Sequence, residues 1–212
     1  MWYALLIIIL IFGGLIGYRY YDKPIPTSEN FLPINTNIDP IQLEQEGLGQ
    51  IAMDFKNGSI KIHPLAEYSI SGKLLSKKKY GSTWNAKIAP YDFAIGWGDL
   101  LREDLKKIIN YNQWGRFYFF KYELNPPFKD KYIVEHSSNN HIIPATENLK
   151  KLLFHIKEDD IITMEGFLVN IRGKMGNNFV NWKTSLKRKD TGNGSCELFY
   201  VTRIKHDYKI YE

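Results

Sequence analysis

Two histidines, His136 and His141, are the first candidates for chemistry in this chain, because they flank the polar stretch 137–140. Imidazole nitrogens bind metals, and an imidazole beside Ser137 would activate its hydroxyl. A zinc site needs three or four ligands, however, and the chain has neither a CxxC nor an HExxH motif. We therefore predict a polar loop whose side chains bond to their own backbone, with Asn139 as a candidate binding residue and no metal or cofactor.

A glycine-rich turn from Asp190 to Ser195 leads into the single cysteine of the chain, Cys196. A single cysteine forms no internal disulfide, so it carries no information on the redox compartment. If His136 or His141 lies beside it, a thiolate–imidazole pair results. The residue type favours the alternative, a small buried hydrophobic side chain. Asp190 and Cys196 are both candidates for a functional surface.

Asp92 and Trp97 lie in the mostly apolar stretch 91–99. A buried carboxylate is either paired or has a shifted pKa, and a shifted pKa is what makes a general acid. No second carboxylate stands at a spacing typical of acid–base pairs. We interpret Asp92 as an acceptor of backbone hydrogen bonds and Trp97 as a ring packed between Gly96 and Gly98, and we keep both as candidate site residues.

Residues 114–122 interleave aromatic side chains with Arg116 and Lys121, as strands that bind single-stranded nucleic acid do. Strand aromatics more often pack into a core. The formal net charge is +5, but 23 acidic residues are interspersed among 28 basic ones, which is a mild bias. Nucleic acid is therefore not an expected partner.

The N-terminus carries the strongest single signal, since residues 2–12 are uncharged and mostly Leu and Ile. This run predicts a transmembrane anchor over residues 1–21 that contacts the lipid bilayer through residues 2–18. A cleavable signal peptide is the alternative, although no basic residue precedes the apolar run. Arg19 and Lys23 follow the run, and by the positive-inside rule they place the next domain in the cytoplasm.

Beyond the anchor, we predict a Pro-containing stalk over residues 22–50 and a single globular β-rich domain over 51–212. The Asn57-Gly58 pair indicates a hairpin, and apolar/polar alternation over 68–74 indicates a strand with one buried face. Periodic apolar residues indicate two helices, over 99–111 and 146–156. Further strands are predicted over 116–124, 132–135, 161–172, 179–187 and 197–205.

Taken together, these elements predict an α+β fold. The predicted architecture is an N-terminal transmembrane helix followed by a β-rich, partly closed antiparallel barrel with two helices. An OB-like barrel is one version of it, because a long strand bent at Gly166 is how such barrels turn their corners.

Four stretches in combination carry a resemblance: YDFAIGWGDL at 91–100, HSSNNHIIPA at 136–145, MEGFLVNI at 164–171, and Trp182 with the SLKRKDTGNGSCE segment that ends at Glu197. They resemble an uncharacterised group of bacterial proteins with an N-terminal hydrophobic segment and one small domain. The resemblance implies a shared fold and anchor and no particular activity. It also implies export, which places the domain outside the cytoplasm and opposes the charge rule.

Two functions follow from these residues, and a protein that binds lipid or peptidoglycan near the membrane is a third possibility. The first is a membrane-tethered binding or scaffolding module that acts through polar loops around 136–141 and 190–196, with a protein or envelope component as partner. The alternative is a membrane-tethered hydrolase that uses a His/Asp metal site or a Cys196 nucleophile. The hydrolase requires Asp92, His136, His141 or Cys196 to converge in one cleft.

Overall fold

The structure is a computed structural model that describes residues 23–29, 33–81, 83–122, 127–187 and 196–212. Its described residues form the strands β1 (Ser28–Glu29), β2 (Ile41–Glu44), β3 (Ile51–Phe55), β4 (Gly58–Lys79), β5 (Tyr91–Gly96), β6 (Ile109–Trp114), β7 (Phe117–Tyr122), β8 (Ser137–Pro144), β9 (Ile161–Met175), β10 (Asn178–Trp182), β11 (Glu197–His206) and β12 (Lys209–Tyr211). The α-helices are α1 (Trp84–Ile88), α2 (Asp130–Glu135) and α3 (Glu147–His155). Two short 3-10 helices span Gly98–Leu101 and Leu105–Lys107.

Ten of these strands form one sheet, and β6 and β7 form a separate two-stranded sheet. The two longest strands, β4 and β9, pair antiparallel along most of their length, and β9 also pairs with β11. Strands β8 and β11 run parallel to each other. This parallel pair matters for function, because it sets the start of β11 beside the middle of β8.

The fold-class prediction is wrong. Strand accounts for 53% of the structure and helix for 16%, so the fold is mostly β rather than α+β. The strands form one ten-stranded mixed sheet in place of the predicted partly closed antiparallel barrel. Among the described residues, no helix has the length and apolar character needed to cross a membrane. The anchor predicted for residues 1–21 lies outside the described residues.

Three local predictions are also wrong. Residues 99–111 are not one helix: they form the two short 3-10 helices and the start of strand β6 at Ile109. Leu100, Leu105 and Ile109 pack in one apolar cluster from these three elements instead of forming one helical face. Residues 132–135 belong to helix α2 instead of a strand. Strand β10 ends at Trp182, well short of residue 187.

The prediction of a polar loop at 136–141 is also wrong, because residues 137–144 form the buried strand β8. Its polar side chains find partners inside the sheet. The Asn140 amide donates to the Phe93 carbonyl oxygen at 3.3 Å and to Ser138 Oγ at 2.7 Å. Buried polar groups with such partners are tolerated in a core, so a polar stretch need not be a loop.

Other local predictions are confirmed. Strands β3 and β4 form the expected hairpin, with Lys56 and Asn57 as its turn and Gly58 as the first residue of β4. Helix α3 covers the predicted 146–156 region, and its N-cap Thr146 accepts a hydrogen bond from the Leu149 amide. The apolar face of α3 packs on the core of the sheet through Leu149, Leu152 and Leu153.

The segment predicted as a stalk lies along the sheet over its described residues. Strand β1 pairs with β12, and β2 pairs with β4. The Gly98 amide donates to the Thr36 carbonyl oxygen at 2.8 Å. These contacts join the segment to the domain that follows it.

Candidate active site

Asp92 is at the centre of the candidate site, on strand β5, all six residues of which are buried. Antiparallel pairing of β5 with β8 places Asp92 opposite His141, and His141 Nδ1 lies 2.8 Å from Asp92 Oδ1. The Arg116 guanidinium donates to the same oxygen from Nη1 at 2.6 Å. One oxygen of a fully buried carboxylate therefore holds both an imidazole and a guanidinium.

Arg116 reaches this carboxylate from the turn between β6 and β7. Gly115 (φ 60°) and Arg116 (φ 72°) both adopt positive φ, as type I′ hairpin turns require. Arg116 Nη2 donates to the Ala89 carbonyl oxygen at 3.0 Å. The guanidinium carbon lies 3.7 Å from the Tyr80 ring centroid and 5.5 Å from that of Trp182. Two hydrogen bonds and two aromatic faces therefore hold the guanidinium in place.

The contacts around Asp92 determine where the protons lie. A carboxylate only accepts hydrogen bonds, so the proton in the contact between His141 and Asp92 belongs to His141 Nδ1. The other ring nitrogen, Nε2, is then the atom that can take up a proton. Burial and, secondarily, the negative charge of Asp92 raise the pKa of Tyr80 to about 12. Tyr80 therefore stays neutral beside the guanidinium at ordinary pH.

Cys196 joins the site through the parallel pairing of β11 with β8. The register places Glu197 opposite Asn140, so Cys196 lies beside Asn139, and Asn139 Nδ2 donates to Cys196 Sγ at 3.4 Å. Asn139 and His141 are two residues apart on one strand, so they share a face and lie about 7 Å apart along it. The thiol and the imidazole thus project from the same face of two neighbouring strands.

The Asn139 side-chain amide connects Cys196 to the hairpin. Its Oδ1 accepts from Gln113 Nε2 at 2.7 Å, and its Nδ2 also donates to the Arg116 carbonyl oxygen at 3.1 Å. Gln113 and Asn139 are both buried. Because a buried amide with both ends bonded has one orientation, this residue fixes the β6–β7 turn relative to the start of β11.

A cavity of about 350 Å³ opens beside these groups, and both His141 and Cys196 line it. This size suits part of a small organic molecule. Trp84 and Trp182 contact edge to face, with ring centroids 5.9 Å apart, and the Trp182 ring lies 5.1 Å from that of His141. The remaining lining residues are Asn85, Gly115, Arg116, Phe117, Asn181 and Lys183.

Four of the seven residues proposed from the sequence meet at this site, namely Asp92, Asn139, His141 and Cys196. Trp97 is buried in the core, where its Nε1 donates to Asp39 Oδ1 at 2.9 Å. His136 ends helix α2, and its ring stacks on that of Tyr132 with centroids 3.8 Å apart. Both of these side chains connect structural elements away from the cavity, and Asp190 lies outside the described residues.

The sequence interpretation missed the part that Arg116 and Trp182 play in the site. In the sequence alone, Arg116 is one of two cations among the aromatic residues 114–122, and Trp182 is only part of a resemblance. A signal was present for Arg116, because Asp92 lies in an apolar strand and a buried carboxylate calls for a cation. Gly115 and Arg116 lie between two segments in which apolar and polar residues alternate. A two-residue hairpin turn at such a position projects a side chain.

In the part of the chain that the structure describes, no group of three or more His, Cys, Asp or Glu side chains is arranged to hold a metal ion. No protein-family model matches the chain, and neither curated proteins nor solved structures give a significant match.

Proposed function

We propose that the chain is a cysteine-dependent hydrolase in which Cys196 is the nucleophile, His141 the general base and Asp92 the residue that orients His141. One observation carries the proposal: His141, which is paired with Asp92, and Cys196 line the same cavity, and the pairing of β8 with β11 sets them on one face. A nucleophile, a base and a group that orients the base are the three parts that acyl-transfer catalysis needs.

The reaction follows from the protonation of the site. His141 Nε2 removes the thiol proton, and Cys196 Sγ attacks an acyl carbonyl carbon to give a tetrahedral intermediate. The imidazolium then protonates the leaving alcohol or amine, which departs and leaves a thioester on Cys196. Water, deprotonated by His141, hydrolyses the thioester and restores the thiol. The imidazole must meet the thiol directly or through one water.

Arg116 and Asn139 act as positioning residues in this scheme. Arg116 donates to Asp92 Oδ1, the same oxygen that His141 contacts, and Asn139 donates to Cys196 Sγ. A hydrogen bond to sulfur favours the thiolate, which is the reactive form of cysteine. Neither residue needs to touch the reacting carbonyl.

A hydrolase accounts for the site better than a module that binds through polar loops. Residues 137–144 form a buried strand, so the region 136–141 does not offer the exposed loop that such a module requires. What it offers instead is one buried imidazole with its orientation fixed. The membrane tether predicted for residues 1–21 remains a separate prediction.

The test measures the reactivity of Cys196 in the full-length chain. Because the chain has one cysteine, intact-mass spectrometry follows its alkylation by iodoacetamide without ambiguity. We expect His141→Gln to slow alkylation near neutral pH by about tenfold or more, since the imidazole no longer withdraws the thiol proton. The matched control is His155→Gln, which changes an exposed histidine at the end of α3 and should leave the rate unchanged.

A second measurement addresses the acyl transfer itself. Incubation with 4-nitrophenyl acetate should release 4-nitrophenol and leave one acetyl group on wild-type protein, and none on Cys196→Ser. Equal alkylation rates in wild type and His141→Gln, or an acetyl group that remains on Cys196→Ser, would overturn the proposal.

A further inference from the structure

The charges around the cavity are unbalanced. Among the residues that the structure describes, its lining includes Arg116, His141 and Lys183 but no carboxylate. Asp92 neutralises Arg116 from behind the cavity wall, through the 2.6 Å ion pair. Lys183 is exposed and has no ion-pair partner among the residues that the structure describes. The described part of the lining therefore carries one positive charge, that of Lys183, without a described partner.

The backbone holds Lys183 close to the nucleophile. The Ser185 amide donates to the Cys196 carbonyl oxygen at 3.2 Å, and the Leu198 amide donates to Thr184 Oγ1 at 2.9 Å. The segment that follows β10 thus runs alongside the start of β11, and both Lys183 and Cys196 face the same cavity.

The rest of the lining is aromatic and amide in character. Trp84, Trp182 and Phe117 provide apolar surface, and the side chains of Asn85 and Asn181 provide hydrogen-bonding groups of no net charge. Small-molecule sites commonly combine an apolar wall with a few polar groups that orient the ligand. The positive charge of Lys183 is thus the feature of this lining that distinguishes charged from neutral ligands.

We propose that the substrate is an acyl compound that carries a negative charge, which Lys183 binds at the cavity while Cys196 attacks the carbonyl carbon. This inference rests on the proposed function for the chemistry of Cys196. The apolar part of the acyl group packs against the Trp84–Trp182 pair. The charged group is a carboxylate or a phosphate, both of which an ammonium group binds.

The test compares two reagents that differ in charge, iodoacetate and iodoacetamide, both of which alkylate the single cysteine of the full-length chain. The measured quantity is the ratio of the two alkylation rates. We expect Lys183→Met to lower the iodoacetate-to-iodoacetamide ratio by about threefold, the factor for unit charges about 6 Å apart in water. Lys61→Met changes an exposed lysine on β4 outside the cavity lining and should leave the ratio unchanged. High salt should shrink the Lys183 effect.

Each outcome separates the two proposals. If Lys183→Met leaves the iodoacetate-to-iodoacetamide ratio unchanged, the proposal of an anionic substrate is overturned. This holds whether or not His141 controls the alkylation rate. Suppose Lys183→Met lowers the iodoacetate-to-iodoacetamide ratio but His141→Gln leaves the alkylation rates unchanged. This result supports an anion-binding cavity and overturns the hydrolase. A folded protein whose Cys196 reacts with neither reagent overturns both, because the thiol would then not be open to the cavity.

Discussion

The buried ion pair between Arg116 and Asp92 should show strong energetic coupling. The exposed fractions of the two side chains are 14% for Arg116 and 0% for Asp92. Among the described residues, Arg116→Met leaves the Asp92 carboxylate bonded to the His141 imidazole without a guanidinium beside it, and removing one member of a buried pair typically costs about 3–5 kcal/mol. Because Arg116 keeps some contact with water, we expect a loss near the lower end, about 3 kcal/mol.

Asp92→Asn removes the charge but leaves the guanidinium with the Ala89 carbonyl and the Tyr80 ring, so a loss of about 2 kcal/mol is expected. The double variant Arg116→Met/Asp92→Asn has no unpaired buried charge. Its loss should therefore be about 3 kcal/mol, well below the sum of the single losses, which gives a coupling energy of about 2 kcal/mol.

Urea unfolding of the full-length chain at neutral pH measures these free energies, with a common m-value as the check for comparable transitions. The exposed pair Glu147–Lys150 on α3 is the control, and its cycle should give a coupling below about 0.5 kcal/mol. Additive losses at Arg116 and Asp92, within about 0.5 kcal/mol, would refute the reasoning that the pair acts as one buried unit.

Three further predictions concern stability, and urea unfolding measures each of them. At Gly166 (φ 158°) an added Cβ would lie 2.1 Å from the Tyr200 carbonyl oxygen, so Gly166→Ala should cost more than about 2 kcal/mol, whereas Gly49→Ala, which meets no atom within 4 Å, should cost less than about 0.5 kcal/mol. Thr146→Ala removes the N-cap of α3 and should lower the free energy of unfolding by about 1 kcal/mol. An unchanged urea midpoint would contradict this prediction. Burial lowers the pKa of Lys77 to about 8 from 10.5, so the unfolded chain binds more protons between these values and stability rises with pH. Because Lys77 is only half-buried, wild type should gain about 1 kcal/mol more than Lys77→Met from about pH 7.5 to 9.5, and equal gains in both would contradict the assignment.

Local periodicity predicted the elements whose partners are near in sequence. Helix α3 and the β3–β4 hairpin each carry their own capping or turn residues, so short-range patterns were sufficient there. Strand β8 was read as a loop because its Ser, Asn and His side chains are polar. Their partners, such as the Phe93 carbonyl and Asp92, come from β5, more than forty residues earlier, and a sequence pattern does not reveal such pairing.

The candidate site was predicted in its residue types but not in its assembly. The sequence suggested Asp92, His141 and Cys196 separately, since a buried acid, a histidine and a lone cysteine each stand out. Their meeting depends on two strand registers, β5 with β8 and β8 with β11, that no local motif encodes. The role of Arg116 is not predicted for the same reason, because it depends on where the turn between β6 and β7 lies relative to β5.

The chain order of β5, β8 and β11 also sets the order in which the parts of the site are synthesised. Asp92, Arg116 and His141 leave the ribosome well before Cys196, because Cys196 lies 55 residues after His141 in the sequence. A nascent chain can therefore pair β5 with β8 and form the Asp92–His141 contact while the nucleophile is still missing. The thiol joins the site only when β11 docks, so a chain truncated before Cys196 would have the base and no nucleophile.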